Sequence, residues 1–177
     1  NKIINLAAET HVDNSIYDPF CFVNTNVLGT LNLLQAVKKV WKNNLSNKLF
    51  YQISTDEVYG SIVEKGSFKE KSRYSPNSPY SASKASADHF VRSYGKTHSI
   101  PYIISHSSNN FGPNQYPEKL IPRFIKNIFL KEPLPIFGNG QNIRDWIYVG
   151  DHVDAIDKLF HCGKIMNSYN MRDTTRN

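Results

Sequence analysis

The sequence predicts an α/β fold built on a doubly wound parallel sheet, and three observations carry that expectation. Short apolar runs alternate with longer stretches whose apolar residues fall at helical spacing, such as Val23, Val27, Leu31, Leu34, Val37 and Trp41. Strands separated by helices imply right-handed crossovers, and so parallel pairing. The 177 residues, 40% of them hydrophobic, suffice for one sizeable core, since a domain takes ~100–200 residues.

Taken in order, Ile3 to Ala8 reads as the end of a strand, and Phe20 to Trp41 as a helix with Pro19 at its start. Leu49 to Ile53 is a second strand that runs directly into Ser54-Thr55-Asp56-Glu57. Gly60 to Asn77, rich in Gly, Ser, Pro and charge, forms a loop. A helix follows Pro79 to about Tyr94, then come a strand at Tyr102 to Ser105 and a helix at Glu118 to Leu130. A further strand is expected at Leu134 to Phe137, and a last helix at Asp151 to Phe160 with Asp151 as its cap. No internal repeat is visible.

Charged residues make up 20% of the chain without long single-sign runs, which argues against disorder. The net charge of +6 permits an anionic ligand, but Lys and Arg are scattered and not striped, so nucleic acid is not expected. Cys21 and Cys162 match no metal or redox spacing and read as reduced structural thiols. No metal site is expected. No apolar run is expected to reach the ~18 residues of a membrane span, and Asn1-Lys2-Ile3-Ile4 does not read as a signal peptide. A cytoplasmic protein without membrane partners is the expectation.

A Rossmann-like sheet ordinarily opens with a strand, a G-x-G-x-x-G turn and a helix. None of the nine glycines builds that turn; Gly138-Asn139-Gly140 comes nearest, but Ile143 stands where the third glycine belongs. The chain is therefore expected to start in mid-strand, with the first βαβ unit missing. Residues 1–113 would form a partial cofactor-binding domain with the catalytic segments. Residues 114–177 would begin a smaller substrate-binding region interleaved with the sheet.

Tyr80-Ser81-Ala82-Ser83-Lys84 sets a phenol and an ammonium one helical turn apart on one face. An adjacent cation favours the phenolate, so the pair suits a general base, although Tyr-x-x-x-Lys by itself is commonly a surface pair. Asp56 and Glu57 stand at the carboxyl end of a strand, where open α/β sheets bind ligands. They read either as solvated turn residues or as an acid and a base whose proximity pushes their ionisation apart.

On these segments the chain resembles the extended short-chain dehydrogenase/reductases, and among them the dTDP-glucose 4,6-dehydratases. The resemblance runs through Leu6 to Asp13, Thr25 to Thr30, Ser54 to Gly60 and Ser78 to Ala85, then Ser108 to Pro113, Pro117 to Pro122 and Arg144 to Val149. Thr55-Asp56-Glu57 followed by Val58-Tyr59-Gly60 is the most specific stretch, because related epimerases usually lack the acidic pair.

That resemblance implies NAD as cofactor and a nucleotide-activated hexose as substrate. Tyr80 would take the proton of the sugar 4-hydroxyl with Thr55 bonded to the same oxygen, and Lys84 would serve the cofactor ribose. Glu57 would remove the C5 proton and Asp56 would protonate the departing 6-hydroxyl. Leu6, Ala7, Ala8, Glu9 and Thr10 would pass beneath the dinucleotide, with Thr10 also near the sugar, and Thr25 and Asn110 would touch the cofactor. Asn109, Lys119, Leu120, Pro135, Ile136, Phe137 and Arg144 would contact the nucleotide diphosphate, which suits the forked donors of an arginine. A homodimer is implied by the same analogy.

His11 and His152 are expected to be packing or hydrogen-bonding residues. Arg144 has a bland alternative, a surface ion pair with Asp145. The likeness fails at Met171 to Thr174 and at His106-Ser107, where a different pair is usual. Two other readings stay open. An epimerase or decarboxylase of the superfamily would share Tyr80 and Lys84 without needing both carboxylates, and a remnant would bind a nucleotide without turnover. Uridine is the rival to thymidine as the base.

Overall fold

The computed structural model describes residues 1–42, 44–61, 66–136, 138–141 and 143–172. Four strands form one parallel sheet in the order β1-β2-β3-β6: β1 (Lys2–Asn5), β2 (Leu49–Thr55), β3 (Tyr102–Ser107) and β6 (Asn167–Met171). A small second parallel pair joins β4 (Asn109–Phe111) to β5 (Trp146–Tyr148). The helices are α1 (Val12–Tyr17), α2 (Pro19–Phe22), α3 (Gly29–Trp41), α4 (Pro79–His98), α5 (Leu120–Leu130) and α6 (Val149–Cys162).

Period-two alternation on β2 and β3 divides the core into two layers. Phe50, Tyr102 and Ile104 face Leu34, Val37 and Trp41 of α3 and Val91 and Tyr94 of α4. Leu49, Tyr51, Ile53 and Ile103 point the other way, onto Ile156, Leu159 and Phe160 of α6. Both strands are buried along their whole length, as expected where helices cover the two faces of a parallel sheet.

The alternating pattern was read correctly, with differences that have physical causes. Between α2 and α3 the backbone widens into a π-helical turn, Val23–Leu28, so the stretch expected as one helix from Phe20 begins at Pro19 and carries an extra-wide turn. Asp18 caps it, accepting from the Cys21 amide at 3.3 Å. Helix α4 runs on to His98, and ends where Ser99 turns left-handed at φ 55°. Helix α5 starts at Leu120, two residues after the expected Glu118. Leu134 to Ile136 are not a strand, and Phe137 lies outside the described residues. Helix α6 starts at Val149, with Tyr148 and not Asp151 before it and no side-chain cap. Strands β4, β5 and β6 were not foreseen, nor was α1, because all four are short.

Among the described residues one helical stretch, Pro19–Trp41, is long and apolar enough to cross a membrane by length and composition, contrary to the sequence reading. One of its faces packs in the core through Leu34, Val37 and Trp41. The other leaves Phe20, Val23, Leu28 and Val40 exposed. Cys21 and Cys162 are free and exposed, so neither supports the core.

Helix α4 meets β3 closely at Gly95, where an added Cβ would be driven into the ring of Tyr102. Alanine raises helix propensity by up to ~1 kcal/mol relative to glycine. Here Gly95→Ala is nevertheless expected to destabilise the fold by about 1–3 kcal/mol through overpacking. Denaturant unfolding checks the sign; a more stable variant would show that Tyr102 can move aside.

Candidate active site

Strand β2 ends at Thr55, whose hydroxyl accepts from the Glu57 amide at 3.2 Å and so starts the tight 3-10 turn Asp56–Tyr59. Gly60 closes that turn at φ 87°, where a Cβ would strike the carbonyl of Ser75. The facing loop is held by the Ser75 amide, which donates to the Val58 carbonyl at 2.9 Å. The two carboxylates are thus fixed side by side at the carboxyl end of the sheet, half-buried.

Tyr80 enters from the first turn of α4. Ser78 and Ser81 form a reciprocal capping box, each side chain bonded to the other's amide at 3.0–3.1 Å, and Pro79 occupies the first helical position. The Tyr80 ring is buried, with Phe22 edge-on at 6.3 Å. Lys84, one turn further, is 5% exposed and donates to the Ile53 carbonyl at 2.7 Å.

Burial pushes Asp56 up to about 6, helped by the negative charges of Glu57 and Asp145 and opposed by a hydrogen bond from Thr55. Glu57 is also raised by burial, but the positive charges of Arg144 and Lys119 hold it down. The neighbours therefore separate the pair into a carboxyl that keeps its proton more readily and one that is steadied as a carboxylate. This is the division of labour an acid and a base need.

The Tyr80 phenol departs from the sequence expectation. Burial raises it first, Glu57, Asp56 and Asp88 raise it further, and the Thr55 hydroxyl works against them. Lys84 does not offset this, because its ammonium is turned to a backbone carbonyl and is itself lowered by burial.

Of the other residues singled out from the sequence, Lys119 and Thr10 come together: the ammonium donates to the Thr10 carbonyl and hydroxyl at 3.2 and 3.1 Å. Arg144 is exposed, bonds the Ile143 carbonyl at 3.0 Å and acts on Glu57 by charge. Among the described residues no ion pair joins it to Asp145. Asn109 and Asn110 lie on β4, with Asn109 tied to the Asp145 carbonyl through its amide at 3.1 Å. Leu120 opens α5, half-exposed, and Thr25 is exposed on the π-helical turn. Pro135 and Ile136 sit in irregular chain with Ile136 mostly exposed, and among the described residues no hydrogen bond ties them to the acidic pair.

The exposed backbone after β1 and an unpartnered acceptor fit a dinucleotide. Leu6, Ala7, Glu9 and Thr10 follow β1 as solvent-exposed backbone with Ala8 half-buried among them, and the Asn110 Oδ1 is buried without a partner. Sequence reasoning missed what holds that backbone. Asn26, 2% exposed, accepts from the Glu9 amide at 2.8 Å and donates to the Glu9 carbonyl at 3.0 Å and to Ser83 at 2.8 Å. An amide in the middle of an apolar helical stretch was the available signal. Also missed was Asp88, and the contact it makes with His106, which the sequence marks only as a departure from the family pattern; both are fully buried.

His11 caps α1, with Nδ1 3.4 Å from the Asn14 amide, and His152 is buried with Nε2 unpartnered. Among the described residues no group of His, Cys, Asp and Glu side chains could hold a metal ion. Open recesses of about 400 Å³ beside α6 and about 520 Å³ beside α5 are lined by other residues.

Asp56 bears on stability with a definite sign. Its folded value of about 6 lies above the 3.8 of an unperturbed carboxyl, so the unfolded chain loses the proton first and stability falls as pH rises between the two. Asp56→Asn is expected to match the parent below pH 4 and to be more stable above pH 6, by urea unfolding. A gain that is the same at every pH would contradict the buried-carboxyl origin of the shift.

Comparison with known proteins places the chain in a family. A family model described as GDP-mannose 4,6 dehydratase matches residues 1–177. The dTDP-glucose 4,6-dehydratase of Xanthomonas campestris is 47% identical over 175 residues, covering 97% of this chain and 50% of that protein. The solved dTDP-glucose 4,6-dehydratase of Streptomyces venezuelae, with NAD and TYD bound, superimposes with a TM-score of 0.90 at 41% identity, over 96% of this chain and 51% of that one. A UDP-glucuronic acid 4-epimerase from Bacillus cereus, in complex with UDP-glucuronic acid and NAD, gives 0.88 at 31% identity, over 98% and 54%. The chain spans about half the length of the curated relatives it matches. With the whole described length matched and the acidic pair in place, the chain belongs to the GDP-mannose 4,6 dehydratase family.

Proposed function

We propose that the protein carrying this chain catalyses NAD-dependent 4,6-dehydration of a nucleotide-activated hexose, dTDP-glucose, to the 4-keto-6-deoxy sugar nucleotide. The observation that carries the reading is the unequal carboxyl pair Asp56 and Glu57, set after Thr55 and beside Tyr80. An epimerase of the same fold has no use for a separate acid and base.

In this mechanism Thr55 holds the 4-oxygen of the sugar and Tyr80 takes its proton. NAD, when bound, would supply the oxidant for C4 and the means of reducing C6 afterwards. The 4-keto group acidifies C5. Glu57, steadied as a carboxylate by Arg144 and Lys119, removes the C5 proton. Asp56, which holds its proton up to about pH 6, delivers it to the departing 6-hydroxyl as water leaves. Lys84 and the backbone of Leu6 to Thr10, with Thr25 and Asn110, would hold the cofactor. Asn109, Lys119, Leu120, Pro135, Ile136, Phe137 and Arg144 would hold the nucleotide diphosphate.

The same reading takes residues 1–113 as the cofactor part and 114–177 as the start of the substrate part. The apolar face left by Phe20, Val23, Leu28 and Val40 supports a homodimer. The two free thiols suit a reducing, cytoplasmic setting.

The full-length protein incubated with dTDP-glucose or UDP-glucose is expected to release a product lighter by one water from the former, without net NADH. A product of unchanged mass would favour epimerisation, and binding without turnover a remnant. Glu57→Gln is expected to retain C4 oxidation but to slow water loss by about 10²–10⁴-fold. Unimpaired elimination in that variant removes Glu57 from the role.

A further inference from the structure

Beneath the catalytic end of α4 lies a cluster of polar side chains that the proposed chemistry does not use. Asp88 and His106 are both 0% exposed. Asp88 Oδ2 accepts from the Ser54 hydroxyl at 2.8 Å and lies 3.1 Å from both the Tyr74 hydroxyl and His106 Nε2. Asp88 Oδ1 is buried without a partner, so the carboxylate is held entirely by its other oxygen. The Tyr74 hydroxyl is also 2.7 Å from His106 Nε2 and accepts from Arg92 at 2.9 Å. On the far side of the ring, Nδ1 lies 3.2 Å from the Tyr59 hydroxyl.

The protons can be counted. Asn170 donates its amide nitrogen to the Phe68 carbonyl at 3.1 Å, so its oxygen faces Tyr59 at 2.9 Å and takes the one proton Tyr59 has. Tyr59 then has only lone pairs for His106, and Nδ1 must carry a hydrogen. On the other side, Tyr74 has a single proton for two acceptors. If Nε2 were bare beside an ionised Asp88, Tyr74 would donate to it, and Asp88 Oδ2 would be left 3.1 Å from two atoms with no hydrogen between. With a hydrogen on Nε2 as well, Tyr74 donates to Asp88, the ring donates to Tyr74 and Asp88, and every contact is made.

We propose that His106 is an imidazolium, protonated on both ring nitrogens, and acts as a positioning residue whose charge neutralises Asp88 beneath Tyr80 and Lys84. The pair ties α4 to Ser54, the residue immediately before Thr55 and the register partner of His106 in the sheet. It therefore fixes the Tyr80 helix against the strand that presents Thr55, Asp56 and Glu57. Its electrostatic part follows from placement: Tyr80, Lys84 and Asp88 succeed one another at four-residue steps along α4, and the Asp88 charge favours the protonated form of both Tyr80 and Lys84. Without a counter-charge it would oppose formation of the phenolate that takes the substrate proton.

The titratable and charged groups facing the ring are Asp88 and Arg92 from α4, Tyr59 from the 3-10 turn and Tyr74 from the loop. His89 packs on Tyr74 with ring centroids 5.2 Å apart, and Glu70 accepts from the Asn170 amide at 3.3 Å. This inference rests on Tyr80 being the group that takes the substrate proton, but its first test does not.

In the full-length protein labelled with ¹⁵N-histidine, the His106 signals, assigned by their loss in His106→Asn, are expected to show hydrogen on both ring nitrogens at pH 7 without substrate. They should revert to a neutral ring in Asp88→Asn. A bare Nε2 in the parent at pH 7 overturns the proposal, whatever the turnover. In the pH dependence of dTDP-glucose turnover, His106→Asn should raise the midpoint assigned to Tyr80 by about one pH unit. Adding Asp88→Asn should bring it back. A rate loss equal at every pH, with the midpoint unmoved, shows a merely structural role and also overturns it.

Discussion

One face of α4 has to satisfy two opposite environments, and the rest of the molecule is arranged around that demand. In its last turns Val91 and Tyr94 enter a dry core with Phe50 and Ile104. In its first turns Tyr80, Lys84 and Asp88 are as deeply buried, yet polar. Burying such groups costs several kcal/mol each unless they are bonded. The carboxyl ends of β2 and β3 supply the bonds: the Ile53 carbonyl takes Lys84, Ser54 takes Asp88, and His106 takes Asp88. The same faces of the same strands are apolar three or four residues earlier. A change of residue type along two strands thus divides one helix into a structural half and a chemical half.

The acidic pair is shaped by a second constraint, the length of the turn. Four residues between Thr55 and Gly60 leave no room for the carboxylates to part. Proximity and burial raise both, and only the unequal placing of Asp145 on one side and Arg144 and Lys119 on the other tells them apart. These three come from the loops around α5 and β5, far along the chain. The chemistry of positions 56 and 57 is accordingly set by side chains some sixty to ninety residues away.

That explains what could be read from the sequence. The parallel sheet was legible because the apolar runs of β2 and β3 alternate with helical stretches such as α3, and the Tyr80-Lys84 and Asp56-Glu57 spacings because each lies within a turn. The behaviour of Tyr80 was not legible. Spacing put Lys84 beside it, but the rotamer that sends the ammonium to Ile53 depends on the sheet beneath. Asn26 and the His106 cluster were missed for the same reason, since their partners lie from 17 to 111 residues apart. The strand expected at Leu134 failed because a short apolar run has no period to distinguish it from irregular chain.

Strand β6 has a consequence for the order in which the molecule assembles. Among the described residues it pairs only with β3, and Asn170, its penultimate residue, supplies the oxygen that Tyr59 needs. The three sheet strands before it pair residues 47 to 52 apart, whereas this last contact joins residues 111 apart. Long closures cost more entropy and come later. A nascent chain would therefore join α4 to β2 and β3 first, and gain the Tyr59–Asn170 bond and the Met171 side of the second apolar layer last.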